Sequence, residues 1–445
     1  MKRKVKILSA VCYFCLIIAL ISGCSTLNAL PENVHSFLSG ESVSYDVITD
    51  LPTPIPDEWL VESGESQSTI SDSSSEETTF QPALPQQTPS VELDEDGFDF
   101  TKSNAGVYCY YSLTPSKQLW YQDIVRILGH MLTNEVLSSQ GLQEGLTESD
   151  IEQIFQCVLN DHPEYFYVDG YSYTLFTQGD ELVKIEFSGA YNVSYEKAKE
   201  RKQQIDEQVA ILLEGSPEGT GDYEKVKYVY DTLILSTEYD LAAPDNQNIY
   251  SVFVNKRSVC QGYAKATQYL LNELGVESTL VFGQVNQGES HAWNLVRVND
   301  NYYYVDSTWG DASYQTNDAS DQPRAPQINY DYLCVTTQQI LTTHILDDMI
   351  SMPECNSLRD NYYVKEGLYF TAYDEEQLFE VFSKAKEEGK TDITIKCDDM
   401  ETYVMMEQSL IEQRGIFNYI DAVDDVISYA QNEKQLSMTF WMTKE

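Results

Sequence analysis

A long acidic segment near the N-terminus limits how much of this 445-residue chain can fold into compact domains. Residues 25–100 contain 16 Asp and Glu residues, no Lys or Arg, and seven of the chain's 14 prolines. A segment of this composition buries too little apolar surface to offset the entropy lost on ordering, so we predict a disordered acidic Ser/Thr/Pro tether over 24–104. About 345 residues remain after residue 100, enough for a sizeable core in about two domains.

The first 23 residues have the order of a secretory signal peptide. Residues 1–6 are basic, residues 7–21 are mostly apolar, and Ile21-Ser22-Gly23-Cys24 follows at once. The apolar stretch is short for a transmembrane helix. Its last four residues resemble a bacterial lipobox, which implies that Cys24 is lipidated and becomes the new N-terminus. We therefore expect lipid anchoring to the outer face of the bacterial cytoplasmic membrane. The alternatives are an uncleaved anchor, or secretion with Cys24 incidental.

The charge of the chain excludes one class of partner. All 71 acidic residues follow residue 23, whereas four of the 28 basic residues precede it, so cleavage would change the formal charge from −43 to −47. A field of that sign repels phosphate, and we expect no nucleic-acid partner. No apolar run of about 18 residues follows the N-terminus, which argues against an integral membrane bundle.

The cysteine pattern indicates neither a disulfide framework nor a zinc site. No Cys-x-x-Cys motif or tight pairing occurs among the cysteines after the signal, which are Cys24, Cys109, Cys157, Cys260, Cys334, Cys355 and Cys397. We expect most of them to be buried as small apolar residues. The many carboxylates do not form an Asp-x-Asp-x-Asp-Gly calcium loop, so we predict no required metal and no cofactor.

Periodicity divides the remaining chain into three parts. Ser149 to Glu152 fits a capping box at the start of a helix that stops before Pro163. Paired strands are predicted over 165–176 and 181–187, and helices over 194–213, with Ser194 as N-cap, and 222–234. After residue 344 the pattern predicts a strand over 361–369, a helix over 374–388, and strands over 391–396 and 436–441. These elements suggest an N-terminal α+β flank (105–221), a core domain (222–350) and a small C-terminal α+β domain (356–445).

Residues 258–275 have the pattern of a helix that begins at a cysteine. Ser258 is the predicted N-cap, Gln261 occupies the third helical position, and Gly275 ends the helix. Cys260 therefore lies in the first turn, where unpaired backbone N–H groups and the positive end of the helix dipole favour a thiolate. Gly262 would leave room beside the sulfur, and the Cys260 amide could face an oxyanion.

Residues 291–306 alternate as a hairpin around Asn299-Asp300. A two-residue turn pairs Val298 with Asn301 and brings Asp306 to the same face as His291, within reach of a carboxylate–imidazole hydrogen bond. An odd-length loop would turn Asp306 to the other face. Singly, each of Cys260, His291 and Asp306 is more often structural. Together they have the composition of a nucleophile, a base and an orienting carboxylate.

The same residues resemble the transglutaminase-like superfamily. Ser-Val-Cys260-Gln-Gly-Tyr-Ala, His291-Ala-Trp-Asn and Tyr-Val-Asp306-Ser-Thr-Trp resemble its three core motifs, and the spacing is similar. The strong resemblance covers about 222–345. Ser307 stands where Pro is common in the family. The resemblance implies an α+β, papain-like core with an N-terminal catalytic helix packed on an antiparallel sheet. It also implies Cys260 as nucleophile, His291 as base, Asp306 as its orienting residue, and Trp293 and Trp309 as walls of the site.

This resemblance implies acyl transfer through a thioester. The substrate is expected to be a protein or peptide, with cell-wall peptide as one class, and the activity that of a cysteine peptidase, an amidase or a protein cross-linking enzyme. The alternative is a non-catalytic cell-surface module that binds wall polymer or protein, since aromatic residues, including 32 Tyr, are good ligand platforms. We expect His162 to be structural, as a helix-stop residue before Pro163, and His344 to be structural or on the surface. We expect Asp311 to belong to a turn, with a supporting role in the site as the alternative.

Overall fold

The computed structural model describes residues 2–8, 98–102, 106–178, 181–285, 288–311, 328–420 and 427–442, with 2–8 described as backbone only. The predicted lipidation site Cys24 and nearly all of the predicted tether lie outside these ranges. Within these ranges, no helix combines the length and the apolar character needed to cross a membrane.

Helices of the described residues begin mostly at polar side chains that accept hydrogen bonds from the first turn. Thr114, Ser194, Asp374 and Asp399 each accept such a bond, which confirms Ser194 as an N-cap. The α-helices are α1 (Tyr108–Ser112), α2 (Pro115–Gly129), α3 (Ser139–Gln143), α4 (Ile151–Asp161), α5 (Tyr195–Glu214), α6 (Asp222–Ser236), α7 (Cys260–Glu273), α8 (Ser307–Gly310), α9 (Thr337–Ile340), α10 (Tyr362–Lys365), α11 (Glu375–Glu387) and α12 (Met400–Glu407).

The strands of the described residues form separate, mostly antiparallel sheets. They are β1 (Lys2–Leu8), β2 (Glu135–Val136), β3 (Val168–Gln178), β4 (Glu181–Tyr191), β5 (Glu238–Tyr239), β6 (Arg257–Ser258), β7 (Ser278–Val285), β8 (Glu289–Val298), β9 (Asn301–Val305), β10 (His344–Leu346), β11 (Tyr369–Phe370), β12 (Asp392–Cys397), β13 (Tyr429–Asn432) and β14 (Ser437–Trp441). The strand orders are β1-β3-β4-β2, β10-β7-β8-β9 and β11-β12-β14-β13, with a short β5-β6 pair.

The sheet of the N-terminal flank contains a segment of the predicted signal peptide. β1 pairs antiparallel with β3, with Lys2 opposite Thr177 and Leu8 opposite Tyr171. Removal of the signal would therefore free that edge of β3. The pairing of β3 with β4 confirms the hairpin predicted between 165 and 187.

The flank helices are tied together by one buried carboxylate. Asp161, the last residue of α4, accepts hydrogen bonds from the backbone N–H groups of Cys109 (3.1 Å) and Tyr110 (2.9 Å) and from the Tyr121 hydroxyl (2.9 Å). The end of α4 before Pro163 is as predicted.

The capping box predicted at the start of α4 is wrong in its position. The box lies two residues earlier, in the 3₁₀ turn before α4, where the Thr147 amide donates to the Asp150 carboxylate at 2.9 Å. The predicted partners Ser149 and Glu152 do not form it, because the chain enters the helix through this extra turn.

The middle sheet, β10-β7-β8-β9, carries the long helix α7 on one face. Small residues let the helix approach closely, since Ala264 of α7 packs with Leu280 of β7 and Ala292 of β8. The Asn294 side chain on β8 also donates to the backbone oxygen of Ala264 at 3.0 Å. This helix-on-antiparallel-sheet arrangement is the α+β core that the sequence predicted.

The turn between β8 and β9 has the predicted two-residue length. Val298 pairs with Asn301, and Asn299 and Asp300 have φ angles of 47° and 69°. Positive φ at both central residues is the type I′ geometry that suits the twist of a hairpin, and Asn and Asp tolerate it better than other residues with a Cβ. The register of the hairpin is therefore confirmed.

The C-terminal sheet confirms three predicted elements and corrects one. Helix α11 and strands β12 and β14 match the predictions over 374–388, 391–396 and 436–441. The strand predicted over 361–369 is wrong, because Asn361 caps the short helix α10 by accepting from the Tyr363 amide at 3.1 Å. Tyr362 of this helix stacks on Tyr330, with ring centroids 3.8 Å apart. Only Tyr369 and Phe370 form a strand there.

A buried ion pair joins the C-terminal sheet to the segment that follows β9. Lys396 Nζ of β12 lies 3.3 Å from Asp331 Oδ1, and both side chains are buried. Asp331 Oδ2 accepts from Ser437 Oγ at 2.7 Å and from Asn432 Nδ2 at 3.2 Å. The predicted domain boundary near residue 356 stays a prediction, but this contact makes the two neighbouring parts structurally interdependent.

Candidate active site

Cys260 is the first residue of α7, at the end of the helix that packs on the middle sheet. The preceding residue, Val259, is extended and donates its N–H to the oxygen of Asn246 at 3.0 Å. The first backbone N–H groups of the helix have no acceptor within it, which leaves them available to a developing negative charge beside the sulfur. The position of the cysteine in the first turn is therefore as predicted.

The loop before α7 corrects two details of the sequence analysis. Ser258 is not the N-cap, because its hydroxyl donates instead to the oxygen of Asn246 (2.7 Å) and contacts Ser251 Oγ (2.6 Å). Gly262 makes room for this loop, since a Cβ there would overlap Ser258 Oγ. Gly275 has a φ of 74° directly after the C-cap residue Leu274, which confirms its predicted role at the helix end.

His291 and Asp306 meet as the hairpin register predicted. His291 lies on β8, and its Nε2 is 2.7 Å from Asp306 Oδ2. Cys260 lies close enough to the His291 ring to help raise the pKa of this histidine. Because Nε2 is occupied by Asp306, Nδ1 is the nitrogen available to the sulfur. The structure thus brings the three predicted catalytic residues together in the order cysteine, histidine, aspartate.

Asp306 has every carboxylate lone pair directed at a donor. It caps the short helix α8, where Oδ1 accepts from the backbone N–H groups of Thr308 (2.9 Å) and Trp309 (3.1 Å). Oδ2 accepts from His291 (2.7 Å) and from His344 Nε2 (3.0 Å). A carboxylate held by four donors is fixed in orientation and strongly favours its ionised form.

The charges in this cluster stabilise one another. Burial alone would lower the pKa of His291, but the charge and hydrogen bond of Asp306 outweigh it, and with the neighbouring Cys260 they raise this pKa to about 10. Burial would raise the pKa of Asp306, yet His291 and His344 hold it well below its usual range. At neutral pH His291 is therefore an imidazolium.

His344 is a site residue that sequence reasoning missed. It was expected to be structural or on the surface, but it is buried against Asp306 and its ring centroid lies 5.4 Å from that of His291. It reaches the site because β10 pairs with β7, with His344 opposite Val285. No local motif marks it, since this contact depends on a pairing between distant strands.

The two predicted wall residues surround the histidines. Trp293 stacks on His291 at 5.8 Å between centroids, and Trp309 lies 6.2 Å from the same ring. Both indole N–H groups are buried and without a hydrogen-bond partner among the described residues. A binding role for these two residues stays a prediction.

The two remaining candidate residues, Asp311 and His162, each have a hydrogen-bond partner. Asp311 accepts a hydrogen bond from the Tyr263 hydroxyl at 3.0 Å, and His162 is paired with Glu164 at 2.9 Å. Apart from Cys260, the cysteines of the described residues are all buried free thiols, as predicted: Cys109, Cys157, Cys334, Cys355 and Cys397.

Three ligand atoms of the site lie close enough to hold a metal ion. One atom each from His291, Asp306 and His344 lie within 4.8 Å of one another. Both Nε2 atoms, however, point at the same carboxylate oxygen at hydrogen-bond distance. Hydrogen bonding accounts for this geometry without an ion.

Residues 213–307 match the family model of the transglutaminase-like superfamily, and this range includes Cys260, His291 and Asp306. The chain is also 29% identical over 131 residues to the kyphoscoliosis peptidase of Homo sapiens, covering 26% of this chain and 19% of that protein. The segment of this chain that matches thus spans about a fifth of the length of this relative.

Two solved structures are similar over part of the chain. One is a TGase that is 14% identical, with a TM-score of 0.24, over 36% of this chain and 47% of that one. The other is a proposed cysteine protease from Cytophaga hutchinsonii that is 16% identical, with a TM-score of 0.21, over 31% and 49%. The assignment of 213–307 as a transglutaminase-like domain rests on the family match over that range.

Proposed function

Because residues 213–307 form a transglutaminase-like domain, we propose that this protein is a cysteine acyltransferase or peptidase that acts on amide bonds of proteins or peptides. The observation that carries the proposal is the buried ion pair of His291 with Asp306, which lies beside the cysteine that begins α7. A structural cysteine needs neither the charged histidine nor the fixed carboxylate behind it.

The reaction begins with attack of the Cys260 thiolate on an amide carbonyl. The carbonyl oxygen gains negative charge, which the backbone N–H of Cys260 is placed to stabilise. The tetrahedral intermediate then collapses: the C–N bond breaks, His291 gives its Nδ1 proton to the leaving amine, and a thioester remains.

A second nucleophile resolves the thioester. Water or a primary amine attacks the thioester carbon, and neutral His291 takes a proton from this nucleophile. The C–S bond then breaks and the Cys260 thiolate leaves. Water makes the reaction hydrolysis and a lysine side chain makes it cross-linking. Asp306 keeps the imidazole in one orientation through both steps and stabilises its charged form.

The place of the reaction is a further part of this proposal. The basic and apolar N-terminus and Cys24 support a lipoprotein on the outer face of the cytoplasmic membrane, where cell-wall peptides are one class of substrate. Incorporation of a fatty-acid label in the wild type and its loss in Cys24→Ala would support this placement. Equal labelling of both proteins would contradict it.

The chemical proposal is tested by the pH dependence of Cys260 alkylation with iodoacetamide, read by peptide mass spectrometry. We expect labelling to persist well below the pKa of about 8.5 of a free thiol, and to slow on the order of 10²-fold at pH 6 in His291→Ala. The other cysteines are internal controls, since burial raises the pKa of Cys355 and Cys397 to about 12. Labelling no faster than that of an ordinary thiol, and unchanged by the substitution, would leave the alternative of a non-catalytic binding module.

A second measurement separates the two outcomes of the thioester. Casein is offered together with a fluorescent primary amine, and both new amino termini and amine incorporation are measured. New termini alone would indicate a peptidase, and amine incorporation would indicate a transglutaminase. Cys260→Ala is the control for both.

A further inference from the structure

A second histidine contacts the carboxylate that orients His291. His344 Nε2 lies 3.0 Å from Asp306 Oδ2, the same oxygen that contacts His291. The ring of His344 is buried and packed between the indoles of Trp293 (4.8 Å) and Trp309 (5.0 Å), with Tyr332 at 5.7 Å. Contacts with Asp306 and with these aromatic rings therefore fix the position of the His344 ring.

Burial, the neighbouring charges and the hydrogen bonds together determine the protonation of the His344 ring. Burial lowers the pKa of His344, Asp306 opposes this effect, and the charge of His291 adds to it, so His344 is neutral when His291 is charged. An ionised carboxylate only accepts hydrogen bonds, so Nε2 of His344 carries the proton. Nδ1 lies 2.8 Å from the Thr343 hydroxyl, and the backbone of Ile340 is a further partner of the ring.

The two histidines therefore have different roles, although both contact Oδ2 of Asp306. His291 is charged, faces Cys260, and exchanges protons with the substrate. His344 is neutral and donates a second hydrogen bond to this oxygen of Asp306. Without that bond, Oδ2 would be held by His291 alone, and the orientation of the carboxylate would be less tightly fixed.

We propose that His344 is a positioning residue of the acyl-transfer site, which holds Asp306 in the orientation that keeps His291 against Cys260. This inference rests on the proposed function, since positioning has a purpose only if the Cys260–His291 pair is reactive. Its consequence is that the site consists of four side chains rather than three, with the fourth supplied from outside the matched range 213–307.

The test compares His344→Phe, which fills the space without a donor, with His344→Gln, whose amide N–H can donate from nearly the position of Nε2. The readout is the pH profile of Cys260 labelling by iodoacetamide, which requires no substrate. In His344→Phe we expect the acid limb of the profile to move up by about one pH unit, because a loosely held imidazolium stabilises the thiolate less. His344→Gln should restore most of this shift.

His162→Gln is the matched control, because His162 is also a buried histidine hydrogen-bonded to a carboxylate, that of Glu164. It should leave the labelling profile unchanged. Coincident profiles for the wild type and His344→Phe would overturn the inference, as would a shift in His344→Gln equal to that in His344→Phe. A wild-type Cys260 without enhanced reactivity would instead overturn the proposed function.

A second measurement applies even if His344→Phe does not fold. Long-range ¹H–¹⁵N NMR of the wild-type protein at pH 7 reports the tautomer of each histidine. We expect His344 as the neutral Nε2–H form and His291 as the imidazolium. The neutral Nδ1–H tautomer of His344, which has no proton on Nε2, would contradict the proposed hydrogen bond to Asp306.

Discussion

Asp306 and Asp331 are two carboxylates that are buried to a similar extent but paired with different basic side chains. Each is nearly inaccessible to solvent and accepts several hydrogen bonds, and each faces a basic side chain. Asp306 faces two imidazoles, one of which contacts the Cys260 thiol. Asp331 faces the amine of Lys396, and its hydrogen-bond partners described above include no imidazole and no thiol.

The difference between the Asp306 and Asp331 clusters indicates what distinguishes a reactive cluster from a structural one. The partner of Asp331 is a lysine amine, a compact positive charge that suits a structural ion pair. An imidazole can give up its proton and regain it within a reaction cycle. Burial and pairing are common to both clusters, and only the exchangeable proton beside a sulfur makes one of them a candidate site.

The two clusters are nevertheless close neighbours through the backbone. The Asp306 amide donates to the oxygen of Tyr332 at 3.0 Å, next to Asp331 in the chain. Gln435, whose backbone oxygen accepts from Lys396, also donates to Thr342 at 2.8 Å, two residues before His344. The C-terminal sheet therefore supports the segment that carries the site.

The largest expected effect is the loss of charge at Asp306. Asp306→Asn removes the negative charge that stabilises the His291 imidazolium, so Cys260 should revert towards an ordinary thiol. At pH 6 we expect labelling to slow on the order of 10²-fold, because a thiol with a pKa of about 8.5 is less than about 1% ionised there. Asp331→Asn, measured on the folded protein, is the control. Similar rates in both variants would mean that the two carboxylates do not differ in function.

An intermediate effect is expected at Lys396, and on stability rather than reactivity. Lys396→Met leaves Asp331 buried without its cation, which costs about 3–5 kcal/mol of unfolding free energy. Urea denaturation measures this loss, and the labelling profile of the folded protein should stay that of the wild type. The double variant Asp331→Asn with Lys396→Met should recover part of the stability. A Lys396→Met protein as stable as the wild type would show that the pair does not support the fold.

The His291–Asp306 cluster is also expected to make the stability of the protein depend on pH. The folded pKa of His291 is about 10, above its ordinary value of about 6.5, so its contribution to stability is fully present below pH 6.5. It is lost as the pH rises through about 10. The difference in unfolding free energy between the wild type and His291→Gln should therefore shrink from pH 6 to pH 10. A difference that stays constant would contradict the raised pKa.

Sequence reasoning succeeded where local chemistry decides the structure. The Asn299-Asp300 turn sets the hairpin register by itself, because both residues accept positive φ, and this register brings Asp306 to His291. The end of α7 at Gly275 is likewise a local property. The hairpin placed His291 and Asp306 correctly, whereas the papain-like fold class was predicted from the resemblance to the superfamily.

Sequence reasoning failed where distant segments meet. Ser258 has the residue type of an N-cap, but the oxygen of Asn246 competes for its hydroxyl. The Tyr-Tyr-Val run at 362–364 favours a strand, yet the Asn361 cap and the stacking of Tyr362 on Tyr330 form a helix. His344 joins the site only through the pairing of β10 with β7, which no local pattern reports.

That pairing also bears on how the protein can be divided for experiments. Strand β10 covers the hydrogen-bonding edge of β7 at three positions. A fragment cut at residue 307, where the matched range ends, would contain all three members of the predicted triad but would leave this edge bare. Bare edges of sheets recruit strands from other molecules, so such a fragment should self-associate. The short strand that contributes His344 thus also covers an edge of the sheet that carries the site.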